Sequence, residues 1–166
     1  MPSGRTTPEG HDTGASERTP PRVDFYVLEA VSSSGRTLAA CRLAEKAWRT
    51  GHRVHLLTTS VSETRELDDL LWTFRQASFV PHAPSPGGSL PSEFEIQSTP
   101  VWVSEMPIPG ARADVLINLT DHVPLEFRDF RRVAEIIDGT GEGRHSGRKR
   151  FREYRGNGCE VHTHEI

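Results

Sequence analysis

The chain has 166 residues, 34% of them hydrophobic, and a formal charge of −3, which is the size of one ordinary domain. No apolar run approaches the roughly 20 residues of a membrane span. Two cysteines far apart, Cys41 and Cys159, with no C-x-x-C pair point to reduced thiols in a cytoplasmic protein rather than a disulfide framework or structural zinc. The charge is uneven: residues 142–155 carry +4 and the remainder −7, which argues against broad coating of nucleic acid and for one local anionic contact.

Residues 1–22 hold four prolines and many Ser, Thr and Gly. That composition predicts a disordered leader ahead of a single domain over 23–166. The leader lacks an apolar h-region, so it does not read as a secretory signal. Residues 23–29 (VDFYVLE) read as the first strand. A helix is predicted over about 35–50, with Leu38, Cys41, Ala44, Ala47 and Trp48 at helical spacing and Gly51 as its stop. Trp48 is read as core. Residues 53–59 form the second predicted strand. Ser60 and Glu63 carry the S-x-x-E signature of a helix start, and Leu67, Leu70, Leu71 and Phe74 give that helix a buried stripe.

Trp72 falls about 140° from Leu67 on the helical wheel. A large aromatic off the buried face either tucks under a loop or marks a partner surface. The following SFVPH, residues 78–82, suggests a short strand begun by Phe79 and Val80 and ended by Pro81, with Phe79 joining Trp72 in one apolar patch. Residues 83–99 are rich in Pro, Gly and Ser and read as an irregular loop. Strands follow over 99–105, with Trp102 sheltered, and over 114–120 (DVLINLT). The second is nearly continuous in apolar residues, as in the middle of a sheet covered on both faces. A helical turn with Leu125, Phe127 and Phe130, then a strand holding Val133, Ile136 and Ile137, lead to a glycine-rich turn at Gly139, Gly141 and Gly143. Those glycines allow backbone conformations that other residues avoid. An edge strand over 159–163 closes the pattern. The alternation implies an α/β fold of three layers, a largely parallel sheet flanked by helices.

The segment after the glycine turn predicts a basic helix over 142–155. At about 100° per residue, Arg144, Arg148, Phe151, Arg152 and Arg155 share an arc of roughly 100°. A core-facing stripe shows the opposite pattern. Two readings of this face stay open: a solvated surface, or a contact for an anionic partner that also has something apolar to bury. Guanidinium forks grip carboxylates, and an aromatic ring offers an apolar floor.

No catalytic or cofactor constellation is legible. A P-loop requires G-x-x-x-x-G-K-[ST], and residues 143–149 have neither the spacing nor the hydroxyl. A dinucleotide fingerprint belongs after the first strand, where this chain reads EAVSSSG. His162 and His164 lack a third metal ligand. No G-x-S-x-G elbow occurs, neither cysteine sits in a nucleophile setting, and Asp68 with Asp69 reads as a charged helix face. The expectation is a chain without catalytic residues, cofactor or metal.

Five segments recur together, in order, over roughly residues 23–158: FYVLE, AEKAWRTGHRV, ELDDLLWTF running to SFVPH, DVLINLT and RKRFREYR. In them the chain resembles the chi subunit of the bacterial DNA polymerase III holoenzyme, a clamp-loader accessory protein. The resemblance implies a non-catalytic part of a DNA polymerase complex with nucleotide-binding-like topology and no nucleotide. It implies two partners. One is the psi subunit, which ties chi to the clamp loader. The other is the acidic C-terminal tail of single-stranded DNA-binding protein (SSB), which ends in phenylalanine and a free carboxylate. DNA would be met mostly indirectly, through SSB, and no membrane is involved. The psi contact would fall on Trp72, Phe79, Val80 and Pro81. The tail pocket would fall on Ile137, Arg144, Arg148, Phe151 and Arg152. There Ile137 and Phe151 would hold the phenylalanine, Arg148 or Arg152 would pair with the carboxylate, and Arg144 and Arg155 would attract upstream acids. The residues also leave an alternative, direct binding of single-stranded nucleic acid by the same helix, with Phe151 and Tyr154 as stacking rings.

Overall fold

The structure, a computed structural model, describes residues 18–29, 31, 32 and 34–166. Strand β1 (Arg22–Val27) leads through helix α1 (Gly35–Arg49) to β2 (Val54–Leu57), and α2 (Val61–Thr73) leads on to β3 (His82–Pro84). The short α3 (Glu93–Ser98) precedes β4 (Val101–Ser104) and β5 (Val115–Asn118). Then come β6 (Arg132–Ile137), α4 (Gly141–Gly156) and β7 (Val161–Glu165). The seven strands form one parallel sheet in the order β3-β4-β2-β5-β6-β1-β7.

Helices on both faces explain why β2, β4 and β5 are buried along their whole length. On one face, Ala40, Cys41 and Ala44 of α1 and Leu67 and Leu71 of α2 pack on Val54, Leu56, Val101, Val103 and Ile117. On the other, Tyr154 and Phe151 of α4, with Phe127 and Phe130, cover Val23, Phe25, Leu116 and Val133. Successive strand residues point to opposite faces, so each strand feeds both cores. Trp48 is half-buried and packs against the first. Trp102 is 3% exposed, as the alternation over 99–105 predicts.

The expected leader lies outside the described residues except for 18–22, where Pro21 is buried and Arg22 opens β1. Three expectations change. The strand near SFVPH begins after Pro81, at His82, and not at Phe79. The reason lies in His82, whose buried ring meets the Val80 carbonyl at 2.6 Å and the Asp68 carboxylate at 3.1 Å, and so fastens this stretch to α2. Residues 83–99 are not one irregular loop, since they contain β3, a 3-10 turn at Pro86–Gly88 and α3. Helix α3 has six residues and no apolar stripe to announce it. Its Ser92–Glu95 capping box starts it, and Ile96 anchors it on Trp102, Ile108 and Ala111. Finally, among the described residues the glycines with positive φ are Gly51, Gly87, Gly88, Gly110 and Gly158, none of them in the 139–143 turn. Close packing, not unusual backbone geometry, accounts for Gly143, because a Cβ there would collide with the Asp138 carboxylate.

Candidate functional site

Helix α4 is held down by a buried polar cluster. Glu135, on the α4-facing side of β6, is fully buried. Its carboxylate accepts from Arg150 Nε at 3.0 Å, Tyr154 Oη at 2.7 Å and Asn118 Nδ2 at 2.8 Å. Arg150 also donates to the Asp121 carbonyl at 3.2 Å and to Ser146 Oγ at 2.6 Å. Burial pushes the Glu135 carboxyl up, and Arg150 opposes this most strongly. Burial and then the Glu135 charge push the Tyr154 phenol far above its ordinary range, so it stays a donor. A buried charge is tolerable only when paired and fully hydrogen-bonded, and that condition is met here. Composition alone hides this cluster, because Arg150 counts as one more cation in a basic run. The signal available was a Glu inside an apolar strand, with Gly147, Arg150 and Tyr154 sharing one helical face at i, i+3 and i+7.

With that face turned inward, the Arg/Phe arc faces outward. Arg144, Arg148, Arg152 and Arg155 are all exposed, and Phe151 is half-buried. Between α4 and the edge strand lies a groove of about 320 Å³. Its floor is Phe25 and Val27 of β1, Ile137 of β6 and the Phe151 ring, which packs on Phe25 at 5.4 Å. Its helix wall carries Arg144 and Arg148, and its far wall Thr163 and Glu165 of β7. Gly147 lets helix and strand approach, since a Cβ there would sit 2.9 Å from Ile137 Cδ1. The helix starts at a Thr140 cap, whose hydroxyl accepts from Gly143 N at 2.9 Å. Among the described residues, Arg144, Arg148, Arg152 and Arg155 make no ion pair; Arg148 Nε donates only to the Arg144 carbonyl, at 3.3 Å.

The structure therefore gathers Ile137, Arg144, Arg148 and Phe151 into one concave site. It leaves Arg152 and Arg155 on the exposed helix surface outside the groove wall. Tyr154, considered above as a stacking ring, is fully buried and bonded to Glu135. The outer face of α4 thus offers only the half-buried Phe151 for base stacking, which disfavours direct single-strand binding there.

The second candidate surface lies across the molecule. Trp72 is 58% and Phe79 75% exposed, and Pro81 is exposed. The Trp72 ring rests on His82, 4.7 Å between centroids, so one side of it is covered and most of the rest is open. Val80 is a correction: it is 2% exposed and belongs to the main core. It supports this surface from below and offers no side chain to a partner.

A larger cavity, about 630 Å³, lies at the carboxyl ends of β5 and β6, where parallel α/β sheets bind nucleotides. Here Arg36 of α1 lines the crevice and donates to the Leu119 and Ile136 carbonyls. Asp138 and Glu142 stand at the N-terminus of α4, where a phosphate would otherwise gain from the helix dipole. The same cavity is also lined by Arg36, Lys149 and Arg150. His162 and His164 bond Glu160 and Asp24, and no group of three or more candidate metal ligands occurs among the described residues. No described helix is long and apolar enough to cross a membrane.

The family model described as "DNA polymerase III chi subunit, HolC" matches residues 21–162. The chain is 39% identical to DNA polymerase III subunit chi of Pseudomonas aeruginosa over 145 residues, covering 87% of this chain and 96% of that one. It is 26% identical to the Haemophilus influenzae subunit chi, covering 86% and 95%, and 27% identical to that of Escherichia coli, covering 84% and 94%. Among solved structures, the UvsW helicase from bacteriophage T4 superposes with a TM-score of 0.55 at 13% identity. That match covers 89% of this chain and 55% of the helicase, and it speaks to fold alone. The chain belongs to the DNA polymerase III chi subunit family, whose members are accessory components of the replicative polymerase complex.

Proposed function

We propose that the chain is a non-catalytic adaptor that binds the acidic, phenylalanine-ended tail of SSB in the α4 groove and the psi subunit at the Trp72–Phe79–Pro81 surface, linking the clamp loader to SSB-coated DNA. One observation carries this reading: two unpaired guanidinium groups, Arg144 and Arg148, stand over an apolar floor of Phe25, Val27, Ile137 and Phe151. That pairing suits a ligand with one large apolar side chain next to a carboxylate. The phenylalanine displaces water from the floor, gaining roughly 25 cal/mol per Å² of apolar surface buried, and Arg148 forms a charge-assisted hydrogen bond with the carboxylate. Arg152 and Arg155, outside the groove, steer the upstream acids at longer range, a contribution that salt screens.

The test is calorimetric titration with a synthetic acidic peptide ending in Pro-Phe, beside the same peptide amidated at its C-terminus. Affinity of order micromolar, roughly −8 kcal/mol, is expected for the free acid, weakening with salt and lost on amidation. Arg148→Glu should abolish binding while leaving the thermal unfolding curve unchanged. Equal binding of both peptides, or wild-type affinity in Arg148→Glu, would overturn the reading of the groove. The psi contact is tested separately: Trp72→Ala and Phe79→Ala should each weaken capture of psi and leave tail binding intact.

A further inference from the structure

A second groove, of about 360 Å³, opens at the carboxyl ends of β2, β4 and β5 and shares Thr59, Thr120 and Asp121 with the 630 Å³ cavity. Two large apolar side chains flank it, Met106 at 60% and Leu125 at 92% exposed. Pro107, Pro124 and Leu57 extend the apolar lining. Leu125 stands in a loop next to a helical turn whose other apolar members, Phe127 and Phe130, are buried. The core therefore does not use it.

The rim is acidic. Glu105, Asp121 and Glu126 line the groove, and among the described residues no Lys or Arg does. The charge at Glu105 is held in place: its carboxylate accepts from Gly87 N at 2.9 Å and Thr64 Oγ1 at 2.8 Å, and these bonds outweigh burial and keep the carboxyl below its ordinary range. The one base on the rim, His122, lies 3.2 Å from the Asp121 carboxylate. In sign this is the reverse of the α4 groove, whose helix wall carries Arg144 and Arg148.

We infer that this groove is a docking site for a basic peptide segment of another protein, one that presents a single large apolar side chain flanked by Lys or Arg. The apolar side chain fills the space between Met106 and Leu125, and the flanking cations meet Glu105, Asp121 and Glu126. Fixed negative charge around an apolar recess selects this chemistry. An acidic ligand is repelled, and a purely basic one leaves Met106 and Leu125 in water. The surface is independent of the α4 groove and of the Trp72 patch, so a ligand here leaves both free.

The probe is an N-acetylated, C-amidated Lys-Lys-Leu-Lys-Lys peptide, titrated into the 166-residue chain and followed residue by residue by ¹H–¹⁵N spectra. The α4 groove offers this probe no carboxylate reading and a repulsive wall, so success or failure here is separable from tail binding. Saturable shifts confined to residues 57–59, 105–107 and 120–126 are expected. Leu125→Ser, at a site too exposed to affect folding, should weaken binding roughly tenfold or more, about the worth of one buried leucine contact. Glu126→Lys should weaken it further at low salt than at high. Shifts scattered over the acidic surface and unchanged in Leu125→Ser, or no saturable shifts at all, would overturn the assignment.

Discussion

Arg148 and Arg150 lie two positions apart on α4 and do opposite work. Arg150 is 4% exposed and bonded to Glu135 at 3.0 Å. Arg148 is exposed and has no carboxylate partner. About 200° of helical rotation separates them, which places one against the sheet and the other over the groove. The same guanidinium is a structural fastener where a buried acid waits for it and a recognition group where none does. Charge density along a sequence cannot tell these apart, because it depends on which strand residue the helix meets. His55 extends the comparison. It is a base buried with no acid partner, 1% exposed and bonded only to Ser104, and burial holds its pKa down to about 4. A buried base with a carboxylate keeps its charge, and one without gives it up.

The largest expected effect comes from breaking the inner pair. Glu135→Ala leaves Arg150 buried without a counter-charge and should cost roughly 3–5 kcal/mol in urea unfolding. Removing both charges, as Glu135→Leu with Arg150→Met, should cost less than either single change. A loss below about 1 kcal/mol in Glu135→Ala would mean that Arg150 escapes to solvent and that the two faces of α4 differ less than their burial implies.

Next in size is the unpaired base. Between about pH 6.5 and 4, the unfolded chain takes up a proton at His55 that the folded chain refuses. The stability this contributes is complete above pH 6.5 and falls by about 3 kcal/mol as the pH drops toward 4. Urea midpoints of the wild type and His55→Asn, measured from pH 4.5 to 7, should differ in slope. Parallel lines would show that the ring titrates in place.

Gly147→Val forces Ile137 away from α4 and overpacks the floor. It should destabilise by about 1–3 kcal/mol and weaken Pro-Phe peptide binding together with stability. On the outer face the two readouts should separate. Arg148→Glu should move stability by no more than about 0.5 kcal/mol while tail binding disappears. Smallest of all, Arg152→Glu should leave groove binding detectable and mainly flatten its salt dependence, as fits a side chain outside the groove wall. An equal loss in both variants would extend the site along the helix.

Periodicity and composition carried the layout of strands and helices. The 114–120 segment reads as central from its nearly continuous apolar run, Ser60 reads as a cap, and the Arg144–Arg148–Phe151 arc reads as one face, because each is a short-range pattern fixed by the period of its element. Elements that depend on distant contacts were not legible. The strand after SFVPH starts at His82 because Asp68, fourteen residues earlier, holds its ring, and Val80 turns inward because the α1–α2 core receives it. Helix α3 has too few residues to show a period and stands on Trp102.

The candidate site divides in the same way. Sequence by itself determined which side chains α4 offers and on which side of the helix they stand, since that follows from 3.6 residues per turn. Only the tertiary structure decided which arginine is spent on Glu135, which two border a groove, and which two are left in open solvent. Those outcomes depend on where β1, β6 and β7 run beside the helix, and parallel pairing sets that over sequence separations of more than a hundred residues, as in Val27 beside Ile137 and Glu165.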